Sequence, residues 1–172
     1  QHLEYTQDVA RRFNSEMGET FVLPEVSFKE DTMLIPGTDG EKMSKSRDNF
    51  INIFLPDKKL RKKIMTIETD SKGLEEPKDP ETCNAFALYS LVASVSQIEE
   101  MRTKYLAGGY GYGHAKQEIF GVICERFKAE RERYNYLIDN HQEIEYALKI
   151  GAERARAVAS DVLLRVRSKV GY

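Results

Sequence analysis

Several things are scarce in this chain, and each scarcity removes a class of protein. Only two cysteines occur, Cys83 and Cys124, far apart and without metal-ligand spacing, so a disulfide framework or a zinc site is excluded and a reduced pair is expected. The three histidines, His2, His114 and His141, show no ligand spacing either. No apolar run approaches the roughly 18 residues that a membrane span requires, and no basic-then-apolar leader opens the chain. Charge of one sign is not in excess: 26 basic and 28 acidic side chains leave a net charge of -2. No global field therefore draws in nucleic acid, and any such contact must come from a local patch. Internal repeats and low-complexity tracts are absent. What remains is 172 residues, 41% of them hydrophobic, enough for one domain or two small ones with a sizeable core.

Along the chain the pattern changes once. "QHLEYTQDVARRFN" is mid-pattern helix from its first residue, with Leu3, Thr6, Val9, Ala10 and Phe13 on one face, and a piece of a longer protein is expected. After Met17-Gly18 come short β-type runs, "TFVLPEVSF", whose Pro24 suggests an edge or bend, and "TMLIPG". A loop and the apolar "FINIF" follow. From Pro56 onward nearly everything reads as helix. Pro56-Asp57 opens the first of these. Asp79 as cap and Pro80 in the first turn open "CNAFALYSLVASV". Ser96 to Glu99 reads as a capping box for a helix that stops at Gly108-Gly109. "YGYGHAKQEIFGVICERFKAERERYNYLID" reads as one long helix. Asn140 to Glu143 repeats the capping pattern before a final stripe of Ala155, Val158, Ala159, Val162, Leu163 and Val166. The fold class is mainly α with a small α/β part, divided into residues 1–55 and 56–172.

The loop "DGEKMSKSRDN", residues 39–49, carries the chemistry. Gly37 and Gly40 let it swing. Lys42 and Lys45 are point charges on flexible stems, suited to phosphates that move during a reaction. The hydroxyls of Ser44 and Ser46 and the loop N–H groups add donors around the same anion. Such parts can close over ATP and stabilise the charge that builds on its β- and γ-phosphates. A plain solvated turn explains two lysines three apart equally well. The ordered string decides between them.

"KMSKS" in that order is the second hallmark motif of class I aminoacyl-tRNA synthetases, and it lies where those enzymes carry it, after β-type runs and before a helical domain. "QHLEYTQDVARRFN", "TDS" at residues 69–71 and "GYGHAKQEIFGVICERF" from residue 111 resemble the tryptophanyl branch, so nearly the whole chain is similar to its C-terminal half. The resemblance implies the end of a Rossmann-type catalytic domain over 1–55 and an α-helical anticodon-recognition domain over 56–172, whose last helix could return to the catalytic domain. It implies a tryptophan--tRNA ligase: tryptophan attacks the α-phosphate of ATP-Mg²⁺, and the activated acyl group then passes to tRNA(Trp). Lys42, Met43, Ser44, Lys45 and Ser46 would form the ATP lid, with Lys42 and Lys45 catalytic and Lys45 foremost. Met33 and Leu34 fall where the family's backbone meets adenine, although a buried strand end explains their side chains as well. A cytoplasmic homodimer is implied, with no resident metal, no tightly bound cofactor and no membrane association.

Departures from the family pattern bound the resemblance. A His-x-Gly-His motif is absent, since "GYGH" ending at His114 lies in the wrong region. That motif, the Gly-x-Asp-Gln segment and the tryptophan pocket are expected before Gln1, so the 172 residues alone are expected to be inactive. Two further readings stay open: a tyrosine-specific class I enzyme, and a helical RNA-binding or interaction module without catalysis. The run Lys58, Lys59, Arg61, Lys62 and Lys63 could meet tRNA phosphates, although a solvated helix face accounts for it too. Tyr105, Tyr110, Tyr112, Tyr134 and Tyr136 are expected to pack rather than stack on bases.

Overall fold

Apolar residues recurring every three or four positions set the interior. The computed structural model describes residues 1–25, 27 and 35–172, so Met33 and Leu34 lie outside the described residues. Seven helices are described: α1 (His2–Met17), α2 (Asp57–Met65), α3 (Asn84–Ser90), α4 (Val95–Ala107), α5 (Tyr112–Arg126), α6 (Lys128–Asp139) and α7 (His141–Val170). They fall into two compact units, residues 32–136 and residues 1–31 with 137–172.

In the first unit α5 supplies the ridge Ala115, Ile119 and Ile123, spaced four apart and buried. It packs against α2, which contributes Leu60 and Ile64, and against α3, which contributes Ala85, Phe86, Leu88 and Tyr89. From α4 the core takes Met101 and Tyr105. Tyr105 is fully buried and meets Phe86 edge-on at 5.6 Å, with Tyr110 and Tyr112 also near its ring. Tyr134 stacks on Phe54 at 4.6 Å. Tyr105, Tyr110 and Tyr112 pack as expected, whereas Tyr134, although stacked on Phe54, and Tyr136 are exposed. Fully burying a large aliphatic side chain contributes roughly 1.5–3 kcal/mol, so this cluster holds the unit together.

In the second unit α1 buries only Ala10, while Leu3 and Val9 of its expected face are exposed. The stripe on α7 is likewise mostly open: Val162 and Val166 are half-buried, but Val158 and Leu163 are exposed. Lys169, near the end of α7, donates from Nζ to the Glu19 carbonyl at 3.1 Å. Both cysteines are free. Among the described residues no helix is long and apolar enough to cross a membrane.

Several boundaries differ from the pattern. No strand forms among the described residues, only an isolated antiparallel bridge between Pro36 and Lys42. The expected runs at 20–28 and 32–37 fall partly outside the described residues; at residues 20–21 the Asn14 side chain accepts from the N–H groups of Thr20 (3.0 Å) and Phe21 (2.9 Å) and donates to the Phe21 carbonyl (2.8 Å). A side-chain amide thus takes the backbone groups that a strand neighbour would use. In "FINIF", Asn52 does the same for the Phe54 N–H at 2.9 Å.

The capping box is shifted by two residues. Ser94, extended at φ -75° and ψ 159°, caps α4, and Gln97 returns the bond. Ser96 and Glu99 are already inside the first turn. Gly108 then ends α4 with φ 76°, and a Cβ there would lie 2.5 Å from the Glu75 carbonyl oxygen. Asp79 caps no helix: its carboxylate bonds the Glu81 N–H and the Thr82 hydroxyl, holding a local turn, and α3 starts only at Asn84. The expected single helix from residue 112 is broken at Phe127, with φ -105° and ψ 22°, where α5 yields to α6. One turn beyond the break, Arg131 reaches the Ile53 carbonyl and the Asp57 carboxylate. Asn140 precedes α7 without making a side-chain cap bond.

Candidate active site

The loop grows from a small hairpin. Met43 N–H donates to the Ile35 carbonyl at 2.9 Å, and the Gly37 N–H donates to Glu41. Gly40, at φ 79°, closes the turn with an N–H bond to the Gly37 carbonyl at 3.1 Å. After Met43 the chain turns again. Ser44 and Ser46 hydroxyls lie 2.8 Å apart, and the Asp48 N–H bonds the Lys45 carbonyl at 3.2 Å. Asp48 takes a left-handed conformation at φ 51°, which a short polar residue tolerates better than most.

The five motif residues lie on one turn, where their surroundings differ. Met43 is half-buried and packs on the hydrophobic core. Lys42, Lys45 and Ser46 are exposed, and neither lysine amine has a partner among the described residues. Arg47, next in line, is occupied by Glu41 at 3.6 Å. Two cations are thus presented on a turn whose backbone is bonded.

Around that turn lie residues whose roles carry no sequence signal. Asn49 is 2% exposed; its Oδ1 accepts from the Ser44 N–H at 2.7 Å, and its Nδ2 donates to Asp39 at 2.8 Å and to the Lys42 carbonyl at 3.1 Å. The bond from Asn49 holds the Asp39 carboxyl below its ordinary value. Gly37 is not the free hinge expected of it, because a Cβ there would lie 2.3 Å from the Asn49 side chain. Asn84, the first residue of α3, donates to the carbonyls of Gly37 (3.0 Å) and Thr38 (3.2 Å). Thr38 also accepts from the Glu68 N–H at 2.7 Å. The hairpin is therefore tied into the helical unit at its base.

Two of the quoted segments also meet there. Tyr112 of "GYGH" donates its hydroxyl to Asp70 of "TDS" at 2.6 Å. Burial pushes the Tyr112 phenol up and the bond to Asp70 adds to it, while the same bond holds Asp70 down. Both residues line one cleft with Asp39, Gly40 and Asn84. Lys78, almost fully buried, donates to the carbonyls of Gly73, Leu74 and Glu76 and lies over the Tyr112 ring, which makes it a structural lysine.

The basic run lies on α2. Lys58, Lys59, Arg61 and Lys62 are exposed, with Arg61 bonded to Gln117 at 2.8 Å. Lys63 is turned inward, bonded to the Asp48 carbonyl and 3.5 Å from its carboxylate. Lys59, Lys62 and Lys63 line a cleft of about 400 Å³ with Asp48, Phe50, Asn52, Leu55 and Thr66. Lys42 and Lys45 do not reach it. Among the described residues no group of three His, Cys, Asp or Glu side chains could hold a metal ion.

Comparison with known proteins identifies the chain's relatives. Residues 1–128 match the family described as tRNA synthetases class I (W and Y). A tryptophan--tRNA ligase of Fusobacterium nucleatum is 42% identical over 172 residues, covering 99% of this chain and 53% of that protein. One of Rhodopirellula baltica is 43% identical over 171 residues, again 99% and 53%. Among solved structures, tryptophanyl-tRNA synthetase from Campylobacter jejuni complexed with ADP and tryptophan is similar at a TM-score of 0.88 and 40% identity, covering 99% of this chain and 54% of that one. The chain spans about half the length of the curated relatives it matches. With a family match over residues 1–128 of 172, the chain belongs to the class I tRNA synthetases of the W and Y type.

Proposed function

We propose that this chain serves a tryptophan--tRNA ligase, which activates tryptophan with ATP and transfers it to tRNA(Trp). The observation that carries the reading is the pair of exposed lysines, Lys42 and Lys45, whose amines have no partner among the described residues, on a turn whose backbone is pinned. Attack of the tryptophan carboxylate on the α-phosphorus breaks the α–β phosphoanhydride bond. Pyrophosphate leaves carrying the electron pair of that bond. Negative charge therefore grows on the β- and γ-phosphates, and cations already in place meet it without reorganising. Lys45 and Lys42 supply those cations, with Ser44 and Ser46 donating alongside. The Mg²⁺ would enter with ATP as part of the substrate complex. Met33 and Leu34 are assigned to the adenine side by family resemblance alone.

In this reading residues 1–55 close a Rossmann-type catalytic domain, and the following helices recognise the anticodon. The grouping of α7 with α1 in one compact unit supports a last helix that returns to the catalytic part. Lys58, Lys59, Arg61, Lys62 and Lys63 on α2 are the proposed tRNA-phosphate contacts, and the enzyme would act as a cytoplasmic homodimer. The tryptophan specificity is supported by relatives over 40% identical that carry that name. Amino-acid-dependent exchange of pyrophosphate into ATP by the full-length gene product tests the whole. Exchange driven by tryptophan is expected. Exchange driven by tyrosine would reassign the substrate, and none with either would favour a non-catalytic module.

A further inference from the structure

We propose that Asn49 is a positioning residue for this loop: its side-chain amide fixes the backbone course of residues 42–44 and so the places from which Lys42 and Lys45 act. The proposal rests on the reading of the loop as an ATP lid. One buried side chain here touches the loop at three points. It receives the Ser44 N–H, holds the Lys42 carbonyl, and grips Asp39 on the opposite limb, while the backbone carbonyl of Asn49 accepts the Thr38 N–H at 2.8 Å. Lys42 is thereby held at its own carbonyl, and Lys45 is held one residue before its N–H. Between them Met43 is anchored twice, by its bond to Ile35 and by the core.

The two lysines themselves are exposed, and their amines have no partner among the described residues. A rigid backbone bearing unengaged cations is what electrostatic preorganisation demands. No other side chain among those described bonds to three separate points of the hairpin and loop. Lys63 and Asn84 each reach only one edge.

The site is also narrow in what it accepts. Glutamine is too long, because the Asn49 side chain already lies against Gly37, where even a methyl group would overlap it. Aspartate has the right shape but cannot donate. Asn49→Asp keeps the acceptor for Ser44, leaves the Lys42 carbonyl without its donor, and sets a second carboxylate against Asp39.

The test uses the full-length gene product in wild-type, Asn49→Asp and Asp39→Asn/Asn49→Asp forms. Losing a buried donor should lower kcat of tryptophan-dependent pyrophosphate exchange about 10- to 100-fold, with the KM for tryptophan unchanged. The double variant exchanges donor and acceptor between positions 39 and 49 and should recover part of that loss. Trypsin supplies a readout independent of the reaction: cleavage after Lys42, Lys45 and Arg47 should accelerate in Asn49→Asp and slow again in the double variant, while the helical circular-dichroism melt stays in place. Wild-type kcat or wild-type cleavage in Asn49→Asp overturns the proposal, as does a loss that appears only in the KM for tryptophan. An unrelieved loss in the double variant overturns it too. A wild-type protein that performs no exchange sinks instead the assignment of the reaction and with it the positioning role. Exchange by the wild type with an indifferent Asn49→Asp sinks Asn49 alone.

Discussion

Lys45 and Asn49 illustrate what a single position discloses and what it conceals. Lys45 is legible because the string KMSKS orders its residue types, and ordered types on a turn carry chemical meaning that a scattered charge cluster lacks. Asn49 is concealed because an asparagine beside an aspartate has the appearance of any turn residue. Its importance lies in burial and in partners that come from both limbs of the hairpin, which only the folded chain brings together. Asn84 is hidden for the same reason, since its bonds to Gly37 and Thr38 span two distant segments. Lys45 gives the sharper kinetic prediction. In the full-length gene product, Lys45→Ala should slow tryptophan activation roughly 10²–10³-fold, the usual cost of one donor aimed at transition-state charge. The tryptophan dissociation constant should not change, because the lysine meets charge that is absent from the ground state. Pre-steady-state adenylate formation measures both, and an unchanged activation rate would remove Lys45 from the mechanism.

Helices were largely legible as elements, and their ends were not. Helical stretches announce themselves through apolar period, although the two stripes that can be read off residue by residue, on α1 and α7, are the ones left largely open. The ends depend on single bonds. Serines at 94 and 96 are both followed three residues later by a Gln or Glu, and only backbone conformation chooses between them. Here Ser94 is extended and Ser96 is helical. The two readings separate in a stability measurement: Ser94→Ala should cost about 1 kcal/mol, whereas Ser96→Ala should fall within about 0.5 kcal/mol of wild type. Urea titration followed by circular dichroism decides it, and the reverse order of costs would restore the shifted box. Of the β-type runs, residues 26, 28 and 32–34 lie outside the described residues, while at Thr20, Phe21 and Phe54 the side chains of Asn14 and Asn52 hold backbone groups that residue type alone assigns to a sheet. On α2 the question is which lysines are available. Lys63 is engaged by Asp48, while Lys62 is exposed and has no partner among the described residues. If α2 meets tRNA, Lys62→Ala should weaken binding and reduce the dependence of log K on log salt by about 0.7–0.9, one phosphate contact. An unchanged slope in a salt series would leave α2 as a solvated face.

At the scale of the molecule the two compact units differ in how well each satisfies itself. Residues 32–136 enclose a continuous core from Leu60 to Ile123, with Tyr105, Met101 and Ile119 fully buried. The unit of α1 and α7 instead leaves Val9, Val22 and Leu164 open, at 68%, 95% and 64% exposure. Exposed apolar surface on that scale seeks cover, either from other parts of a protein or from another copy. The chemistry is divided in a comparable way. The 172 residues carry the lysine-bearing loop proposed as a lid but contain no His-x-Gly-His string, and they correspond to about half the length of their curated relatives. A lid can stabilise a leaving pyrophosphate only if nucleotide and amino acid are held opposite it. The 172-residue chain produced alone is therefore expected to show a helical circular-dichroism spectrum with cooperative melting, from the core of residues 32–136. It is expected to associate through the open faces of α1 and α7, seen as a rise of sedimentation coefficient with concentration. It should catalyse no tryptophan-dependent pyrophosphate exchange, although its lid residues are all present. Measurable exchange by this chain would place the whole activation site within it and overturn the division. A monodisperse monomer would show that the open apolar faces need no cover. A folded, associating and inactive product is the outcome that the burial pattern and the missing motif require together.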